Sequence, residues 1–182
     1  MKKIFLILFL FFSIQDAFSQ KVNTDRILAD GTHQIVTESE DYSVGWKYFY
    51  FCLRAMESRN SLRYELVVSS QSYIPENVEI LLKLGNEEVI HLKALYVNRS
   101  DEVSVDIHDD WGFRNASIYD FPVEYLEKIV EYGIKKIRIS DGIEFKDREF
   151  RRNGLGKYLT NCYKNIQECL NKPLNKDLYD DF

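Results

Sequence analysis

The side chains best suited to chemistry fall in a few short stretches of this 182-residue chain. His108-Asp109-Asp110, with Asp106 just upstream, sets an imidazole among carboxylates. Such a group can ligate a metal ion, or a carboxylate can orient the imidazole for proton transfer. The spacing matches neither a zinc helix nor a calcium loop, so His108, Asp109 and Asp110 are weak candidates and no metal is expected. Asp141, Glu144, Asp147 and Glu149 form a second acidic run. Glycoside hydrolysis needs two carboxylates facing each other across a bond, which nearness in sequence does not supply. Ion pairs with Lys146, Arg148, Arg151 and Arg152 are the simpler account. Gly154 and Gly156 lack the spacing and the preceding apolar strand of a nucleotide fingerprint. No catalytic residue and no cofactor is expected.

A third group is aromatic. Trp111, Phe113, Tyr119 and Phe121, with Arg114 and Asn115 between them, lie in a polar, turn-rich stretch. Exposed, these rings would make an apolar platform for a sugar, peptide or partner protein. Trp111, Phe113, Arg114, Tyr119 and Phe121 are therefore the expected partner-binding loop. Buried, they would close the end of a sheet.

The N-terminus speaks to compartment. Lys2 and Lys3 precede an unbroken apolar run from Ile4 to Phe12, and Ala17-Phe18-Ser19 supplies small residues around a bulky one. Signal peptidase reads that order. The run is too short to span a bilayer, which takes about 20 apolar residues. Residues 1–19 are expected to be a cleaved leader and residues 20–182 a single α+β domain with a short acidic C-terminal tail. The first cysteine is Cys52, so no lipid is expected at the cleavage site. The chain carries 24 basic and 29 acidic residues, a net charge of −5. Losing Lys2, Lys3 and Asp16 with the leader moves this to −6. That balance argues against a phosphate-tracking surface. No nucleic acid, and no membrane once the leader is removed, is expected as a partner. Asn98-Arg-Ser and Asn115-Ala-Ser fit the glycosylation sequon, which matters only in a eukaryotic secretory pathway.

Cys52, Cys162 and Cys169 are odd in number, so one thiol is always left over. Seven residues along a shared helix would part Cys162 from Cys169 by about 10.5 Å, too far for a bond. Any bridge would join Cys52 to one of them; three thiols acting as small hydrophobes is the preferred expectation.

These residues must be held by elements that the hydrophobic pattern outlines. Strands are expected over 33–37, 47–57, 62–70, 78–84, 89–97, 103–107, 134–139 and 143–150, with residues 20–46 otherwise an extended lead-in and Asp41 to Trp46 a loop. In 89–97 the alternation turns Ile90, Leu92, Ala94 and Tyr96 inward and leaves His91 and Lys93 on the wetter face. Ile134-Lys-Lys-Ile-Arg-Ile139 reads as a strand whose alternation is interrupted by its basic residues. A helix follows Asp120, its expected cap, with Pro122 in the first turn and Gly133 at the end. A second helix runs from about Leu155 to Leu170, capped by Asn153, with Leu155, Leu159, Cys162, Ile166 and Cys169 along one face. The fold class is α+β: a mainly antiparallel sheet of about six to eight strands, with two helices in the C-terminal half and the last packed on the sheet.

In this order the chain resembles a group of small exported Bacteroidales proteins. The resemblance rests on the leader, the aromatic hairpin, Pro122-Val-Glu-Tyr-Leu-Glu-Lys-Ile129, Lys135-Lys-Ile-Arg-Ile139, Phe145-Lys-Asp-Arg-Glu149 and Leu155-Gly-Lys-Tyr-Leu-Thr-Asn-Cys-Tyr-Lys-Asn-Ile166. It implies compartment and architecture and brings no activity with it. The expected function is a non-enzymatic binding or scaffolding domain, periplasmic or extracellular, whose partner is a protein or glycan of the cell envelope. A small carboxylate- or metal-dependent hydrolase and an inhibitor- or immunity-like protein are the alternatives.

Overall fold

The computed structural model describes residues 22–70, 78–99, 115–140 and 144–172. The expected strand over 103–107 lies outside them. The described residues form ten strands and two helices: β1 (Val22–Ile27), β2 (His33–Thr37), β3 (Glu40–Val44), β4 (Lys47–Ser58), β5 (Ser61–Ser70), β6 (Glu79–Leu84), β7 (Val89–Arg99), β8 (Asn115–Asp120), α1 (Val123–Tyr132), β9 (Ile134–Ser140), β10 (Phe145–Glu149) and α2 (Gly154–Leu170). Every strand pairing is antiparallel, and α2 packs on the sheet, so the α+β class holds.

The sheet runs β1-β2-β4-β5-β8-β7-β6-β9-β10, with β3 added beside β4. The strand number exceeds six to eight because β1, β3 and β8 arise where a lead-in, a loop and a turn-rich segment were expected. Each hides its pattern for a physical reason. Among the described residues β1 and β3 each pair on one side only and stay partly exposed, so they carry Asn, Asp, Arg and Glu. β8 sits between β5 and β7 and buries Ala116, Ser117, Ile118 and Tyr119 in succession, two small residues and then two bulky ones, so no alternation is left to read.

In a flat sheet, β3 and β10 would lie seven strand spacings apart, roughly 34 Å at about 4.8 Å each. Instead Arg148 Nη1 on β10 donates to the Ser43 carbonyl on β3 at 2.9 Å. The sheet therefore curls until its two margins nearly meet. The Arg148 guanidinium lies 5.2 Å from the Tyr42 ring centre and 5.1 Å from that of Phe150, which fastens the seam from inside.

The curl gives the sheet an inner and an outer face. The inner face holds one large core: Phe51, Leu53, Leu66, Ile80, Leu82 and Ile137 from strands meet Leu126 and Ile129 of α1 and Leu155, Leu159, Cys162 and Ile166 of α2. Ile90 and Leu92 point inward, while His91 and Lys93 face out. Between β2 and β3 the edge turns a corner. There Thr37 Oγ1 bonds both the carbonyl and the amide of Leu53, and the Tyr158 hydroxyl reaches the carbonyls of Glu38 (2.7 Å) and Phe51 (2.5 Å). Backbone groups that the corner takes out of the ladder are thus paired, as buried polar groups must be.

The helix boundaries match their punctuation, but the caps differ from expectation. α1 starts after Pro122 with no side-chain cap, and Asp120 stays at the end of β8, opposite Glu65. Asn153 precedes α2 in a left-handed conformation (φ 52°), and its side chain makes no cap bond. Its Oδ1 instead accepts the Ile134 amide at 2.6 Å. The side chain is gripped by two glycines: a Cβ on Gly133 would meet its Nδ2 at 2.5 Å, and one on Gly156 would meet its Oδ1 at 1.9 Å. Gly156 is there for this contact between β9 and α2.

Candidate functional site

The expected partner loop divides. Tyr119 and Phe121 are core residues, both fully buried, and neither offers a ring to a partner. Tyr119 belongs to β8 and donates its hydroxyl to the Val78 carbonyl at 3.3 Å, while Phe121 packs edge-on against Tyr125. The inner core claimed them because β8 is a central strand. Trp111, Phe113 and Arg114 lie outside the described residues, as do His108, Asp109, Asp110 and Asp141.

The late carboxylates form ion pairs, Glu144 with an expected partner and Asp147 with others. Glu144 pairs Lys146, and Asp147 receives Arg138 through Nε (2.6 Å) and Nη2 (2.8 Å) and Lys136 at 2.6 Å. They come together because β10 lies antiparallel to β9 with Asp147 opposite Arg138 and Glu149 opposite Lys136.

What the same register builds is a basic groove on the outer face of β6, β7, β9 and β10. It has a volume of about 380 Å³ and is lined by Leu81, Lys83, Val89, Lys135, Lys136, Arg138 and Glu149. Two local irregularities shape it. Lys136 opposes Lys83 and Ile134 opposes Leu84, so Lys135 is an extra residue with no opposite number. This bulge turns two consecutive lysines outward, and it explains the interrupted alternation of Ile134 to Ile139. The second is Glu87, in the β6–β7 turn at φ 72°, a left-handed conformation uncommon for a residue with a side chain. It sets the Glu87 carboxylate between Lys83 and Lys135, the latter at 2.6 Å. Hydrogen bonds from Lys135 and Lys83 draw its pKa down to about 2. The Arg138 guanidinium, joined by Lys136, holds Asp147 well below the usual carboxylate range against the opposing effect of burial.

The turn itself is pressed against α1. Gly85 donates to the Gly133 carbonyl (3.3 Å), Lys128 pairs Glu88, and a Cβ on Gly85 would meet the Tyr132 carbonyl at 2.4 Å. The groove thus rests on a braced hairpin and a paired sheet. Beside it Phe145 exposes its ring, with the Arg138 guanidinium 5.7 Å from the centroid. Backbone strain, a bulge and an open groove meeting in one place are the marks of a functional surface.

Three other features escaped sequence reasoning. Trp46, at the β3–β4 hairpin tip after Gly45 (φ 64°), is 70% exposed and flanked by the Lys47 and Lys146 ammoniums at 5.0 and 5.9 Å from its ring centre. On the outer face of β4 and β5, fully buried Glu65 receives Arg54 Nε at 2.6 Å, and its Oε1 lies 2.8 Å from Arg63 Nη2 without the alignment of a hydrogen bond. His33 is buried between Asp25 (Nε2, 2.6 Å) and Glu57 (Nδ1, 3.1 Å). Burial opposes its charged form, but the hydrogen bonds that the ring donates to both carboxylates prevail and raise its pKa above 6.5. Those carboxylates sit on opposite ring nitrogens and cannot converge on one ion. Among the described residues no group of three or more His, Cys, Asp or Glu is arranged to hold a metal.

The thiols are free, with Cys52 and Cys162 buried and Cys169 half-buried. Cys52 alternates with the core residues Phe51 and Leu53 and so lies on the outer face with Val67 and Ile118, whereas Cys162 lies in the inner core. Burial pushes Cys52 up to about 12 and Cys162 up to about 11, the reverse of what a nucleophile needs. No helix of the described residues is long and apolar enough to cross a membrane. No family model matches the chain, and no curated protein or solved structure matches it either.

Proposed function

We propose that the chain is an exported, non-enzymatic domain of the bacterial envelope that binds its partner through the outer face of β6, β7, β9 and β10. The basic groove there carries the proposal, because its cations are positioned by a bulge and a strained turn on a braced part of the sheet. Export rests on the charged, apolar and small-residue order of the first nineteen residues. The chemistry of the described side chains favours binding over turnover: the thiols are shifted away from the thiolate, and Asp147 and Glu87 are tied into ion pairs rather than poised near neutral pH. Titrating the isotopically labelled exported protein with fractionated envelope glycans and peptides should move the amide resonances around Lys83, Lys136 and Arg138. Ligand-induced changes confined to β1 through β5 would overturn the assignment of the surface.

A further inference from the structure

Resting on the groove as the binding surface, we propose that its ligand is an acidic saccharide, held by the ammoniums of Lys83, Lys135 and Lys136 over the apolar floor of Leu81 and Val89. Three observations select that class: charge, size and the state of the backbone.

Lys83, Lys135, Lys136 and Arg138 bring four positive charges to the groove, and Glu87, Asp147 and Glu149 return three negative ones. A local positive excess stands out on a chain of net charge −5. The internal carboxylates orient these cations without exhausting them. An ammonium has three N–H groups, and Lys83, Lys135 and Lys136 each aim one at Glu87 or Asp147. The two further N–H groups of each ammonium are the donors that a carboxylate and ring hydroxyls would accept.

A volume of about 380 Å³ is at the lower end of small-ligand sites, which span roughly 300–1,000 Å³. That accommodates one or two sugar rings and is short for an extended peptide. Leu81 and Val89 give the C–H face of a ring an apolar surface, and the exposed Phe145 beside the groove extends it. A peptide that binds by adding a strand needs a free edge. Here β6 is paired on both sides, to β7 and β9, and β9 on both sides, to β6 and β10, so the two strands that carry Leu81 and all four cations offer no backbone ladder.

The probes are trigalacturonate, its methyl ester and a short polyglutamate peptide, each titrated into the labelled exported protein. Trigalacturonate is expected to shift the amides of Lys83, Lys135 and Lys136, with little response to the ester. Lys135→Gln combined with Lys136→Gln should weaken it by about tenfold or more, as loss of charge-assisted hydrogen bonds does. Lys135 is exposed and Lys136 half-buried on the outer face, away from the core, so the fold should persist, and an unchanged circular dichroism spectrum checks this. Equal binding of acid and ester overturns the proposal. A groove response to polyglutamate alone also overturns it, while leaving the surface standing with a peptide ligand. Shifts elsewhere, or none with any probe, overturn the ligand class and the surface together.

Discussion

His33 shows how one side chain comes to depend on pH. Ionised Asp25 and Glu57 are acceptors only, and a neutral imidazole has a single N–H, so only the doubly protonated ring donates to both. The raised pKa has the matching sign. A group held more basic in the folded state contributes its stability in full below the unfolded value of about 6.5, and that contribution is lost as pH rises through the higher folded value. The charge ties β1 and β4 to β2, with Asp25 also approached by the Cys169 thiol of α2. Amide-exchange protection of Val22–Ile27, corrected for intrinsic rates, should fall as pH rises above 6.5. His33→Gln should remove that dependence, and a variant that keeps it would refute the assignment. His33 was legible as a strand residue. Its role was not, because Asp25 and Glu57 lie 8 and 24 positions away and meet it only through ladder register.

Among the elements, the junction of α1, β9 and α2 depends on the absence of side chains. Gly133 and Gly156 leave a slot that the Asn153 amide fills, and Asn153 in turn satisfies the first amide of β9. Gly156→Ala forces an atom to within 1.9 Å of Asn153 Oδ1 and 2.8 Å of the Ile134 nitrogen. Overpacking of this kind costs about 1–3 kcal/mol. The urea midpoint should fall accordingly, and adding Asn153→Ala should recover part of the loss by emptying the slot. An unchanged midpoint for Gly156→Ala would show that the junction can move aside. Sequence reasoning placed the helix start correctly and read Asn153 as its cap, since Asn before a helix usually is one. Only the fold brings Ile134 close enough to compete for that oxygen. The Lys135 bulge was visible as a broken alternation, but its meaning depends on Lys136 and Ile134 standing opposite Lys83 and Leu84, with Lys135 left over between them.

For the whole molecule, the curl of the sheet is decisive. It puts Cys162 inside with the helices and Cys52 outside, so a bond between them would have to pass through the sheet. Thiol counting in denaturant should find three free thiols, and a count of one would contradict the sidedness. The sequence alone determined what is local. Alternation marked most strands, the apolar stripe of Leu155, Leu159, Cys162 and Ile166 marked α2, and Gly133 marked the end of α1, because each depends on residues within a turn or a pleat of one another. Tertiary structure alone decided which aromatics are spent on the core, as Tyr119 and Phe121 are, and which stay exposed, as Trp46 and Phe145 do. It also decided what each charge meets: Arg148 the Ser43 carbonyl across the seam, and four cations one another around one groove. Those choices follow from strand order and closure, and they join residues up to 105 positions apart through contacts that no neighbouring residue encodes.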